Sequence, residues 1–212
     1  MKAKTINFLK ESVKIISVKY NTEKILQEPL IKLIEFPNLR QEYNYDCGAL
    51  ALLEVLVYYG FEEREEYILK DLTKDSDDVI KNGVYIRAIK DYAEKRKLKC
   101  DIIKGLEPRQ LIPYLDKNIP IIVLLQAWKD GDNPNPWETD YKDGHYVTAI
   151  GYTKDCIIFE DPASFERTYL SFNEMKKRWH AISDDNKDDP ETVSIIIKGV
   201  PRFKANKIVH LD

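Results

Sequence analysis

Cysteine is scarce in this chain: Cys47, Cys100 and Cys156 are all there are. Their spacing fits no zinc-binding pattern, and an odd count makes a poor disulfide framework. The expected setting is a reducing interior, the cytoplasm. Long apolar runs are missing as well. None approaches the roughly 18 residues of a membrane-spanning helix, so an integral membrane protein is not expected. The N-terminus, Met1 to Glu11, breaks any signal-peptide core with charged residues. Excess charge of one sign is also lacking. A formal net charge of -3 gives no reason to expect nucleic acid or an anionic membrane as partner. Basic clusters such as Glu94-Lys95-Arg96-Lys97 read as solvated helix ends. No internal repeat or low-complexity tract is visible.

What remains is a globular composition. The chain has 212 residues, 43% hydrophobic and 33% charged, which suits one domain or two tightly joined lobes. Residues 1–38 read as an N-terminal extension. Within it, Ile15-Ile16-Ser17-Val18 and Ile31-Lys32-Leu33-Ile34 fit short strands or weak amphipathic helices equally well. Residues 39–200 read as the folded domain and 201–212 as a tail. Glu62–Leu72 is a polar, exposed helix by pattern, and Lys74–Asp78 an acidic loop without the ligand spacing of an EF-hand. Val84–Arg96 places apolar residues at helical spacing. Leu98–Ile103 and Pro120–Leu125 read as strands, with a short helix over Pro108–Asp116 between them. Trp128–Asp143 is a long loop, and long loops in compact domains are often functional. Asp143–Tyr152 and Cys156–Glu160 form a hairpin that ends at Asp161-Pro162, and Thr168–Leu170 is a further strand. Ser171 and Glu174 make a capping box for a helix to about Trp179. Asp184–Asp189 is an acidic loop and Val193–Ile197 the last strand. Helices first and an antiparallel sheet second make an α+β protein.

The stretch from Gln41 to Gly60 organises the rest. Ala49–Tyr59 carries one charge, Glu54, and a helix apolar nearly all round is a buried helix. Gly60 is its C-terminal stop. Asp46 stands at its N-cap and Cys47 in its first turn. Free backbone N–H groups and the helix dipole there favour thiolate, the nucleophilic form of cysteine. Gln41, six positions upstream, can bring an amide N–H beside the sulfur to stabilise an oxyanion. The competing reading of Cys47 is a small buried hydrophobe.

A working cysteine needs a base, and three histidines are available: His145, His180 and His210. His145 opens a strand just after a glycine, where its ring can face a cleft. His180 follows a polar helix and His210 lies near the end of the chain; both are expected to be exposed to solvent. A base needs an orienter for its second nitrogen. Asp161 ends the hairpin that begins near His145, so the topology returns it beside that ring.

Taken together, Gln41, Asp46-Cys47-Gly48, Gly144-His145-Tyr146-Val147 and Asp161-Pro162 resemble the bacteriocin-processing leader peptidases. These are papain-like cysteine peptidases that cut after a double-glycine leader. The resemblance spans roughly Leu39 to Trp179. It implies a papain-like fold, a helical lobe with the nucleophile helix packed on an antiparallel sheet. It implies Cys47 as nucleophile, His145 as general base and acid, Asp161 as orienter, and Gln41 with the Cys47 N–H as oxyanion donors. The family commonly opens a membrane-embedded exporter, whereas here an extension precedes Gln41 and a long loop runs from Trp128. A peptide or protein is the implied substrate, cleaved through a thioester without metal or organic cofactor. Two alternatives keep the fold: a transpeptidase or acyltransferase at the same site, and a catalytically silent peptide-binding domain. A third is an α+β domain with no site at all.

Overall fold

The apolar run after Asp46 becomes the central helix of a computed structural model that describes residues 25–73, 83–129, 135–181 and 192–211. This helix, α1, spans Cys47–Tyr58, and every residue of it except Val57 is buried. It ends as the sequence predicts. Gly60 adopts φ 86°, and Phe61 N–H donates to Leu56 O while Gly60 N–H donates to Val57 O. That pair of bonds closes the last carbonyls of a helix around a left-handed glycine.

Two further helices cover α1. The first, α2 (Glu65–Thr73), is not the wholly exposed helix its polarity suggests. Ile68 and Leu72, one turn apart, are both buried, so the polar residues of this helix flank a narrow apolar stripe. The second, α3 (Ile86–Lys95), buries Ile86, Ile89, Tyr92 and Ala93 on one face. Short helices α4 (Ile112–Asp116) and α5 (Phe172–Arg178) follow. The predicted capping box of α5 is present: Glu174 N–H donates to Ser171 Oγ at 3.2 Å, and Ser171 N–H to Glu174 Oε2 at 3.0 Å.

The strands are β1 (Lys32–Leu33), β2 (Lys99–Lys104), β3 (Ile121–Gln126), β4 (Gly144–Tyr152), β5 (Cys156–Glu160), β6 (Thr168–Ser171) and β7 (Val193–Lys198). They form one antiparallel sheet in the order β2-β7-β3-β4-β5-β6, with β1 added along β4. The segment around Ile31–Ile34, readable as strand or helix, is therefore strand. Its ladder extends to Ile31 N–H on Tyr152 O and Ile34 N–H on Ile150 O, and Ile34 and Phe36 enter the core. At the other end, the N–H groups of Arg202 and Phe203 both donate to Tyr58 O. The predicted loops Lys74–Asp78 and Asp184–Asp189 and the segment at Ile15 lie outside the described residues.

Strand β4 is the longest and sits between β3 and β5, buried from His145 to Tyr152. Its contact with α1 fixes the site. A Cβ added at Gly48 would lie 2.9 Å from Tyr146 Cδ2 and 3.0 Å from Val84 Cβ. The Tyr146 hydroxyl is itself tied to Val84 O at 2.8 Å, so the ring cannot swing aside. Only glycine lets the start of α1 approach the start of β4 this closely. Gly48→Ala is expected to destabilise the fold by about 1–3 kcal/mol, the usual effect of overpacking. Its denaturant midpoint, measured beside wild type, should fall with little change in slope; an unchanged midpoint contradicts the packing described.

Candidate active site

Cys47 occupies the first helical position of α1. Asp46 precedes it but does not cap the helix with its side chain. Its Oδ2 turns back and accepts from Glu42 N–H at 3.1 Å and Tyr43 N–H at 2.8 Å. The carboxylate thus folds the preceding loop instead of satisfying the helix N–H groups. Those groups keep their positive field at the end where the Cys47 sulfur lies.

The folded loop carries Gln41. Its backbone N–H donates to Pro162 O at 3.0 Å, which joins the loop to the turn after β5. Its side-chain Nε2 donates to Tyr43 O at 2.7 Å, and its Oε1 is buried without a hydrogen-bond partner. The amide is therefore anchored by one of its two hydrogens, within the loop that leads to Cys47.

His145 and Asp161 meet as the hairpin topology predicts. In the β4–β5 ladder Thr148 stands opposite Glu160, which puts Asp161 level with Val147 and diagonal to His145 on the same face. His145 Nε2 lies 2.7 Å from Asp161 Oδ1. Both residues are buried, at 7% and 2% exposure. Burial is the largest influence on the His145 ring and pushes its pKa down. The charge and hydrogen bond of Asp161, followed by a hydrogen bond and charge from Cys47, outweigh it and lift the pKa from 6.5 to about 10. Burial likewise pushes Asp161 up, but the His145 charge and the hydrogen bonds from His145, Ala163 N–H and Trp128 leave it below its ordinary value. Imidazole and carboxylate are thus in direct contact, and Cys47 is near enough to the ring to help raise its pKa.

The Asp161 carboxylate has more partners than a hairpin alone supplies. Oδ1 also accepts from Ala163 N–H at 3.0 Å, and Oδ2 accepts from Trp128 Nε1 at 3.1 Å and Thr168 Oγ1 at 3.4 Å. Beneath it lies a second set of charges. Arg40 and Arg167 flank Glu160 at 3.1 and 3.0 Å, and Arg40 also donates to Phe165 O at 2.8 Å. Glu54, the single charge of the apolar helix, is fully buried; its Oε1 accepts from Leu39 N–H at 3.2 Å. Burial, then the neighbouring Glu160 charge, push its pKa well above the usual carboxylate range. Glu65 on α2 is raised to about 8 by burial and by sharing a hydrogen bond with Asp46.

The partners of these groups could not be read from the sequence. A lone carboxylate inside an apolar helix is a visible sign of a buried pairing, but nothing in the chain says with what. Arg40, Glu160 and Trp128 give no sign at all. His180 differs from expectation: it is half-buried, its Nε2 lies 2.8 Å from Asp140 O, and its ring meets Tyr141 edge-on. Asp140 and Tyr141, which precede β4, supply these contacts. His210 is exposed. Among the described residues no group of three or more His, Cys, Asp or Glu side chains is placed to hold a metal ion, and no helix is long and apolar enough to cross a membrane.

Comparison with known proteins sets this geometry in a family. The sequence profile of the Peptidase_C39 like family matches residues 33–186. A search of curated proteins gives no significant match. Among solved structures, the chain is similar to a C39-like protein from Bacillus anthracis, at 16% identity and a TM-score of 0.60, covering 81% of this chain and 99% of that one. It is similar to a double glycine motif protease from an AMS/PCAT transporter, solved with its leader peptide, at 17% identity and a TM-score of 0.56, covering 83% and 100%. The peptidase domain of Streptococcus ComA, a bifunctional ABC transporter of a quorum-sensing pathway, gives 22% identity and a TM-score of 0.51 over 80% and 98%. At such identities these likenesses speak for the fold, which is α+β and papain-like. The profile match spans well over half of the sequence, and the chain belongs to the Peptidase_C39 like family.

Proposed function

We propose that this protein is a cysteine peptidase that hydrolyses a peptide bond through Cys47, His145 and Asp161, with leader peptides as the substrate class. One observation carries the reading. The buried imidazole meets a carboxylate on its Nε2 side and lies near enough to the cysteine at the start of α1 to be raised by it. With Nε2 engaged, Nδ1 is the nitrogen left for the sulfur.

The chemistry is acyl transfer. The Cys47 thiolate attacks the carbonyl carbon while the imidazolium holds the proton. The carbonyl electrons move onto oxygen, where the Cys47 N–H and the remaining amide hydrogen of Gln41 stabilise the charge. As the C–N bond breaks, Nδ1–H gives its proton to the leaving amine. Water then adds to the thioester, losing its proton to Nδ1, and the sulfur departs. Tyr43 and Tyr45 stack at 5.4 Å on the loop that leads from Gln41 to Cys47; this aromatic surface suits a peptide side chain. The family and its leader-bound structural relative support a peptide substrate rather than nucleic acid. Three free cysteines, all buried, suit a cytoplasmic setting.

Reactivity and turnover test the reading. Timed alkylation at mildly acidic pH should label Cys47 much faster than Cys100, which burial raises to about 11, or Cys156, also raised by burial. His145→Ala should remove the difference. Incubation with peptides bearing a double-glycine leader, followed by mass spectrometry, should show cleavage that Cys47→Ala abolishes. Gln41→Ala should lower kcat by about 100-fold, as loss of one oxyanion donor does. Equal labelling of all three cysteines together with no turnover would overturn the proposal.

The pH dependence has a definite sign. His145 is raised in the fold, so its contribution to stability is full below about 6.5 and is lost as pH rises through about 10. Asp161→Asn removes the group that raises it and leaves burial, which lowers it. The stability gap between wild type and Asp161→Asn, read from denaturant unfolding, should therefore be widest near pH 6 and shrink towards pH 10. A gap independent of pH contradicts the ion pair.

A further inference from the structure

Trp128 stands where nothing in the site requires a tryptophan. It lies two residues beyond the end of β3, and β3 and β5 flank β4 on opposite sides. Leu125 is paired across from His145. The indole therefore reaches from one neighbouring strand, past the start of β4, to Asp161 at the end of the other. Its Nε1–H donates to Asp161 Oδ2 at 3.1 Å, the oxygen that does not face His145.

The backbone is arranged to make that reach. Trp128 adopts φ 54°, a left-handed conformation rare for a bulky side chain. The residues on each side are held. Ala127 N–H donates to Asp143 O at 2.9 Å, and Asp143 N–H donates to Gln126 Oε1 at 3.0 Å. Lys129 Nζ lies 3.6 Å from Asp140 and 4.3 Å from the Trp137 ring centroid. Strain of this kind persists only where the surroundings over-determine it, and it gathers at functional sites. The indole is 43% exposed, so apolar burial does not account for its position.

Resting on the proposed peptidase reading, we infer that Trp128 is a positioning residue: its indole N–H fixes the plane of the Asp161 carboxylate so that Oδ1 meets His145 Nε2. A carboxylate held through one oxygen alone can rotate about its Cβ–Cγ bond. Thr168 Oγ1, at 3.4 Å from Oδ2, is the weaker of the two restraints there. The Ala163 N–H shares Oδ1 with the imidazole and does not fix the second oxygen. The loop from Trp128 thus belongs to the catalytic geometry at its first residue.

The test begins with nuclear magnetic resonance on the intact chain, which has three tryptophans. In wild type the Trp128 indole N–H should shift strongly on Asp161→Asn, while that of Trp179, bonded to Val193 O, stays in place. Trp128→Phe keeps an aromatic ring and removes the donor. It should leave the thermal midpoint within a few degrees of wild type. It should also broaden the downfield His145 Nε2–H resonance through faster exchange with water, and lower kcat about 10-fold with KM unchanged. An indole resonance indifferent to Asp161→Asn, or a Trp128→Phe variant with the His145 resonance and kcat of wild type, overturns the inference. The two resonances are read without substrate, so absence of turnover in wild type would sink the peptidase reading and leave this one standing.

Discussion

The packing of the first turn of α1 against the first residues of β4 is the constraint on which the site depends. Gly48 abuts Tyr146, and their chain neighbours are Cys47 and His145. The sulfur and the imidazole are therefore located by the same contact that seals the core. A helix nearly all of whose residues are buried cannot slide or rotate without opening cavities, and each missing methylene group in such a core is felt. Stability and the placement of the candidate nucleophile are one property of this fold.

Electrostatics complete what packing begins. An isolated imidazole buried to this degree would lose its proton. Here an adjacent carboxylate reverses that, and the carboxylate is in turn held by N–H and O–H donors from three separate segments. Deeper in, Glu160 is paired with Arg40 and Arg167, while burial and the Glu160 charge push the pKa of Glu54 well up. Buried charges are tolerated when paired and hydrogen-bonded. The two arginines offset part of the repulsion among the acids crowded there.

Asp46 shows how a residue can serve a helix end without capping it. By turning its carboxylate to the Glu42 and Tyr43 N–H groups, it shapes the loop that carries Gln41. The same loop is pinned to the turn after β5 through Gln41 N–H and Pro162 O. Segments far apart in the chain are in this way joined around one small volume, and the Asp46 side chain is not spent on capping α1.

Periodicity and turn residues set much of this in advance. The all-round apolar run from Ala49, closed by Gly60, dictates a buried helix, because no other placement hides its whole circumference. Alternation and the Asp161-Pro162 stop dictate the hairpin, and a hairpin of that length must return Asp161 to His145. The meeting of His145 and Asp161 was legible for that reason; the addition of Gln41 and Cys47 to them came from the family resemblance. Tertiary structure alone decided the rest. The direction of the Asp46 carboxylate, the anchoring of the Gln41 amide and the partial burial of His180 against Asp140 and Tyr141 depend on which segments lie opposite one another. So do the pairing of Glu54, Glu160 and Arg40 and the reach of Trp128 across β4. Sequence spacing carries information about neighbours along an element; it carries none about which groups compete for one buried hydrogen-bonding position once distant elements have closed around it.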